Sequence, residues 1–339
     1  MSGQLLNTLD LNNLVIHDVQ LDYYGKRVAA AAADGSVHIW DVTDNQQKLV
    51  GQIKPHDGPV WKVAWAHPKF GGLLATCSYD MKVAILKEVS SQWYIAYVDS
   101  SHTASVNSVA FSPWEFGLNL ACASSDGNFS ILSHTPNQQW RRVSCFAHGG
   151  GAQTLSWMPA SYRDGSLASP MRLATGGCDN SVRIWKCESD VWTQESPPLP
   201  SAHGNWVRDV AWHPDSYSVL ASGSWDGSVI IWTQEMDGQP WRQLTKLALP
   251  GKVESLSWSV TGSQLAVSCA EGETLIYKET PDGRFEELGI CNEEGFIDKQ
   301  APAVAPAPCV PGFDAPPAPD PNSEAAAQKQ AVLDAFGMS

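Results

Sequence analysis

His56, His102, His148 and His203 recur along the chain, each with an Asp further on and in three cases a hydroxyl just before that Asp. The sets are His56, Thr76 and Asp80; His102 and Asp126; His148, Thr175 and Asp179; and His203, Ser222 and Asp226. Two of them end on an indole six residues past the acid, Trp185 and Trp232. A hydroxyl, an imidazole and a carboxylate are the parts of a nucleophilic triad, in which the base takes the hydroxyl proton and the acid orients the base. Repetition argues against that chemistry, because an enzyme has no use for a triad in every repeat. The set also decays freely: Thr76 goes with Leu86, Cys122 with Leu132, Ala30 with Trp40 and no His in register, Val267 with Tyr277. The reading that remains is a structural network of turn acid, loop imidazole, strand hydroxyl and indole donor. Orphaning one buried member costs roughly 1–3 kcal/mol. No catalytic residue, cofactor site or metal site is expected. No HExxH or GxSxG occurs, and Gly149-Gly150-Gly151 precedes a strand rather than the helix a phosphate cradle needs.

Such a network needs a repeated scaffold. Aligned on the turn acid, the same place recurs at Asp34, Asp80, Asp126, Asp179, Asp226 and Glu271. Six residues on stand Trp40, Leu86, Leu132, Trp185, Trp232 and Tyr277. A first-strand signature recurs as Val63-Ala64-Trp65, Val109-Ala110-Phe111, Leu155-Ser156-Trp157, Val210-Ala211-Trp212 and Leu256-Ser257-Trp258. Short alternating runs of Val, Ile and Trp bounded by Gly, Asp and Pro read as strands, and Asp-Gly between two of them reads as a hairpin. One hairpin cannot bury its own apolar faces, so repeats of about 45 residues must stack as four-stranded blades. The fold class is all-β: an open six-bladed β-propeller followed by a disordered Pro/Ala-rich tail.

In order, residues 1–12 are a lead-in and 13–291 the propeller, with blades near 14–54, 55–100, 101–147, 148–200, 201–249 and 250–291. Blade four carries a surplus loop at 160–170. Residues 292–339 form the tail. Ala301 to Pro321 holds 8 Pro and 6 Ala and reads as an extended linker, with a possible short helix after it. Each blade is contiguous, so no strand exchange latches the ring, although Leu5 to Leu11 could do so. An unlatched ring leaves open sheet edges that invite strands from another chain. The edges expected to meet such a partner are Val15, His17, Val19, Tyr23, Tyr24 and Val28 in blade one, and Val253, Leu256, Trp258 and Leu265 in blade six.

Composition narrows the classes. The formal charge of -14 disfavours direct nucleic-acid binding, which draws its affinity from Lys and Arg. The N-terminus lacks a signal-peptide pattern and no apolar run is long enough to span a bilayer, so no direct membrane insertion is expected. Eight scattered Cys with no CxxC read as small thiols in a reducing compartment.

Several strings are more specific than a repeat. Ile16-His17-Asp18 followed by Asp22-Tyr23-Tyr24-Gly25-Lys26-Arg27, GPVWKVAWAHPKFGGLLATCSYDMKV (58–83), SVNSVAFSPWEFGLNLACASSDG (105–127), GGCDNSVRIWK (176–186) and NWVRDVAWHP (205–214) resemble the small WD-repeat propeller subunit of the COPII outer coat. The resemblance covers all six blades and not the tail. It implies an open propeller completed by a blade from the large coat subunit (itself a propeller plus α-solenoid), in endoplasmic reticulum to Golgi transport. In the Y-shaped subcomplex of the nuclear pore, it implies one from an α-solenoid nucleoporin. Family members also occur in a nutrient-signalling complex at the lysosome or vacuole. The expected locations are the cytoplasmic face of endoplasmic reticulum exit sites, COPII vesicles and the nuclear pore. Two alternatives are a propeller nucleoporin that serves the pore alone and a WD-repeat substrate adaptor of a ubiquitin ligase. Such adaptors often carry Arg two residues beyond Trp-Asp, where Trp40-Asp41 is followed here by Val42-Thr43.

Overall fold

The acid-to-aromatic repeat becomes six antiparallel blades, one per repeat. A computed structural model describes residues 14–43, 47–163, 166–167, 170–270, 272–280, 283–292 and 295–299. Blade one is Ile16–Leu21, Arg27–Ala32, Val37–Asp41 and Lys48–Ile53, hydrogen-bonded in that order. Blades two to five begin at Val60–Trp65, Val106–Phe111, Ala152–Trp157 and Val207–Trp212 and repeat the order. In blades one, three, four and five the hairpin turns where an aspartate is followed by Gly or Asn, which tolerate positive φ, whereas blade two holds Met81 there at φ 68°. Gly35 sits at φ 87°, where an added Cβ would lie 2.4 Å from the His56 carbonyl oxygen. Asn180 takes the same left-handed place in blade four at φ 62°.

Two features depart from the sequence expectation. The surplus of blade four is not a plain loop: Tyr162–Arg163 pairs with Ser166–Leu167 as a small hairpin. Blade six does not stop at residue 291. It consists of Val253–Trp258, Gln264–Cys269, Thr274–Glu279 and Phe285–Asn292, and Gly295–Asp298 adds a fifth strand to its outer edge. The tail beyond Lys299 and the lead-in lie outside the described residues. Among the described residues no helix is long and apolar enough to cross a membrane.

Period-two alternation gives each blade two apolar faces, one toward the preceding blade and one toward the next. The face toward the next blade is built on one cross-strand pair used six times: Ala29 with Ile39, Ala75 with Ile85, Ala121 with Ile131, Ala174 with Ile184, Ala221 with Ile231 and Ala266 with Ile276. The opposite face is built on a branched first-strand residue: Val63, Val109, Leu155, Val210 and Leu256. Five separate cores result, one for each pair of successive blades from one–two to five–six.

Candidate functional site

The histidine network forms as a directed chain. In blade five the Trp232 indole N–H donates to Ser222 Oγ (2.8 Å), and Ser222 Oγ lies 2.8 Å from His203 Nε2. His203 Nδ1 in turn faces Asp226 at 3.4 Å. Since the serine accepts from the indole, its own proton points to Nε2, and the Nδ1–H tautomer follows from that bonding. Blade four repeats the chain, with Trp185 on Thr175 (2.9 Å), Thr175 to His148 (2.8 Å) and His148 to Asp179 (2.8 Å). Blade two links Thr76, His56 and Asp80 without an indole. In blade three, where the second strand offers Cys122, the hydroxyl comes from its cross-strand partner: Ser130 Oγ lies 2.8 Å from His102 Nε2. Blade one lacks a loop histidine and substitutes His38, 2.9 Å from Ser36, which bonds to Asp34. All four hydroxyls, Thr76, Ser130, Thr175 and Ser222, are fully buried. A triad's order of groups is present, but no substrate carbonyl can reach the oxygen. The arrangement ties interblade loops to hairpin turns.

Its charges bear on stability. Asp126 is held down to about 2: burial pushes it up, and the Asn128 amide, His102 and the Thr103 amide together outweigh that. The carboxyls of Asp80 and Asp226 are likewise lowered against the opposing push of burial, by their imidazoles, amides and, for Asp226, Ser228. Burial also lowers His56 and His203 from 6.5. Both shifts act in one direction. Lowered carboxyls contribute stability above their unfolded value of about 4 and lose it as pH falls toward 2, and the lowered histidines begin the loss below about 6.5. The thermal midpoint is therefore expected to be level near pH 7 to 8, to decline below about 6.5 and to fall steeply below about 4. Calorimetry at constant ionic strength checks this; a midpoint that rises on acidification contradicts it.

The site that stands out is the junction that the described residues of blades six and one do not make. Where blade two meets blade one, the Trp65 indole donates to the Gln20 carbonyl and the Val63 amide to Asp18. Trp157 donates to the Ala110 carbonyl in the same way, and Trp258 to that of Ala211. The Asp209 carboxylate joins blades four, five and six by accepting from Thr154 Oγ1 (2.7 Å) and the Leu256 amide (2.8 Å). Lys62 of blade two, held positive chiefly by Asp209 and secondarily by Asp18, reaches Asp209 of blade five at 3.8 Å. Among the described residues no side-chain hydrogen bond or ion pair joins blade six to blade one, and their first strands lack the packing that joins every other successive pair.

Each made junction is also sealed at its rim by an aromatic from the start of the later blade's outer strand. The seals are Trp93, Trp140, Trp192, Trp241 and Phe285. In the same register blade one has Gln47, and where other blades put Trp or Phe at the first-strand end it has Leu21. The consequence is exposure. Val19 is 52% exposed, while its counterparts Val63, Val109, Leu155, Val210 and Leu256 are at most 6% exposed. On the other side Ala266 and Ile276 are only half-buried, whereas the five equivalent pairs are buried.

Of the proposed edge residues, Val15, Val19 and Tyr24 are exposed, whereas His17 and Tyr23, also exposed, lie against Trp61 and His67 of blade two. Val28 is buried with Ala30 and Trp40 in a cluster whose described members all belong to blade one. Val253, Leu256, Trp258 and Leu265 belong elsewhere. They pack against blade five, because these side chains of the first strand, and Leu265 paired with Trp258 on the second, point back to the preceding blade. The residues blade six turns toward the gap are Ala266 and Ile276. Sequence reading missed them, although Ala five residues before the turn acid and Ile five after it recur in all six repeats.

The comparisons agree with this architecture. The WD domain, G-beta repeat family matches residues 3–41, 47–85, 139–186 and 197–233. Protein SEC13 homolog of Drosophila melanogaster is 41% identical over 300 residues, 84% of this chain and 83% of the fly protein. Protein transport protein SEC13 of Yarrowia lipolytica is 42% identical over 291 residues, 82% of this chain and 97% of its own. Protein transport protein sec13 of Emericella nidulans is 39% identical over 292 residues, 81% and 94% of the two chains. With identity at this level over four-fifths of its length, the chain belongs to the SEC13 family of WD-repeat proteins.

Proposed function

We propose that this chain is a non-enzymatic scaffold of the COPII vesicle coat, completed by a blade that a partner inserts between blades six and one. The observation that carries the reading is the pair of unmatched faces. Blade six keeps the Ala266–Ile276 face that buries against a next blade everywhere else, and blade one keeps Val19, yet the two faces do not meet. Burying that apolar surface stabilises a complex by roughly 25 cal/mol per Å² before the costs of association. A transport role is supported by the names of its relatives, two of which are called protein transport proteins. The donor is the large outer-coat subunit, a propeller joined to an α-solenoid, at endoplasmic reticulum exit sites. An α-solenoid nucleoporin fills the same gap at the nuclear pore, and a nutrient-signalling complex at the lysosome or vacuole is a further user.

Purification of the tagged chain from its own cells in high salt, with mass spectrometry of what stays bound, tests this. A stoichiometric large coat subunit, with or without a solenoid nucleoporin, is expected, since an apolar inserted blade resists salt that strips surface ion pairs. Recovery of a cullin adaptor, or of no stoichiometric protein, contradicts it.

A further inference from the structure

Two blades carry glycine on the outer strand opposite the face-forming isoleucine: Gly51 opposite Ile39 and Gly289 opposite Ile276. The other outer strands bear side chains there, among them Tyr97 opposite Ile85, Val143 opposite Ile131 and Thr245 opposite Ile231. The reason for glycine is visible in blade one. A Cβ on Gly51 would lie 2.6 Å from the ring of Trp93, the aromatic that blade two lays against blade one. The glycine is a slot, and the next blade's aromatic fills it. Blade six has a glycine in the same register facing the gap, and there the fifth strand covers it with its backbone and an aromatic ring. A Cβ on Gly289 would lie 2.1 Å from the Ile297 carbonyl oxygen and 2.9 Å from Cζ of Phe296, both on the fifth strand Gly295–Asp298. That strand continues from the blade's own outer strand, through the register Ile290 with Ile297 and Cys291 with Phe296.

We propose that the Gly289 slot is the anchor for an aromatic side chain on the outer strand of the incoming blade, and that Phe296 holds it in cis until that blade arrives. The proposal rests on the inserted-blade reading and specifies its chemistry. The partner presents Trp or Phe to blade six in the manner of Trp93 and Phe285, because each blade seals the one before it. Blade one offers the partner no such seal, having Gln47 and Leu21. Blade six is therefore the anchoring side, and the fifth strand must yield for the partner to seat.

Phe296→Ala and Phe296→Trp test this in the full chain, with the large coat subunit recovered from the same cells as the probe. Loss of the competing ring is expected to tighten binding roughly three- to tenfold, and a larger ring to weaken it by a similar factor. In the free chain, Phe296→Ala is expected to speed amide exchange in Thr274–Glu279 and Phe285–Asn292, which lose their cover. Weaker or unchanged binding by Phe296→Ala overturns the proposal and leaves the fifth strand as a fixed part of blade six. Unchanged exchange overturns it whatever the partner does. Faster exchange with no partner retained by the natural chain strikes the insertion reading instead, and makes Phe296 the permanent seal of its slot.

Discussion

Ile231→Asp is expected to leave the chain unfolded or insoluble, while Ile276→Asp yields a folded protein that no longer holds its partner. The two isoleucines occupy one register, each opposite the same small residue, Ala221 and Ala266. They differ in what lies over them. Ile231 is fully buried in the core between blades five and six. A carboxylate there loses the apolar contacts and gains an unpaired buried charge, together about 4 kcal/mol or more, a large share of what holds a domain folded. Ile276 faces the gap and is half-buried, so the same change keeps access to water and costs about 1 kcal/mol in the free chain. In the complex that carboxylate would be enclosed without a partner, and affinity is expected to fall at least about a hundredfold. Circular dichroism and co-purification read the two effects separately. Equal destabilisation by both substitutions would mean that blade six already has a neighbour.

His148→Ala is expected to cost about 3 kcal/mol and to lower the thermal midpoint by roughly 6–12 °C without loss of the partner. The imidazole bonds Thr175 and Asp179, both at 2.8 Å, and packs so closely on Gly177 that a Cβ there would lie 2.3 Å from the ring. Its removal therefore leaves a cavity as well as freed hydrogen-bonding groups. Orphaning is partial, since Thr175 keeps the Trp185 indole and Asp179 keeps Ser181 and Arg183. Differential scanning calorimetry measures the loss. Full stability combined with loss of the partner would turn the network from a structural device into a recognition site.

Much of this was written in the sequence because a propeller reuses its solutions. The turn acids, the loop histidines and the open junction all follow from phase, and so do the exposed Val15 and Val19. What phase does not carry is direction. Alternation says that Leu256 and Ile276 lie on opposite faces of blade six, not which face looks back to blade five. Phase alone therefore leaves the side of Val253, Leu256, Trp258 and Leu265 open, and the packing on blade five settles it. The Ser130 hydroxyl was hidden for a related reason. It reaches His102 from the third strand, across the register from Cys122, and a pattern read along one strand does not show its neighbour. The fifth strand, Gly295–Asp298, is too short for alternation to announce it.

A cryo-EM map of the salt-resistant assembly recovered with the tagged chain tests the central claim most directly. A seventh blade is predicted between Ile16–Leu21 and Val253–Trp258, contributed by the partner, with its apolar faces covering Val19 on one side and Ala266 and Ile276 on the other. A ring of six blades that contacts its partner only through surface loops, with the faces of blades one and six closed on each other, would contradict it.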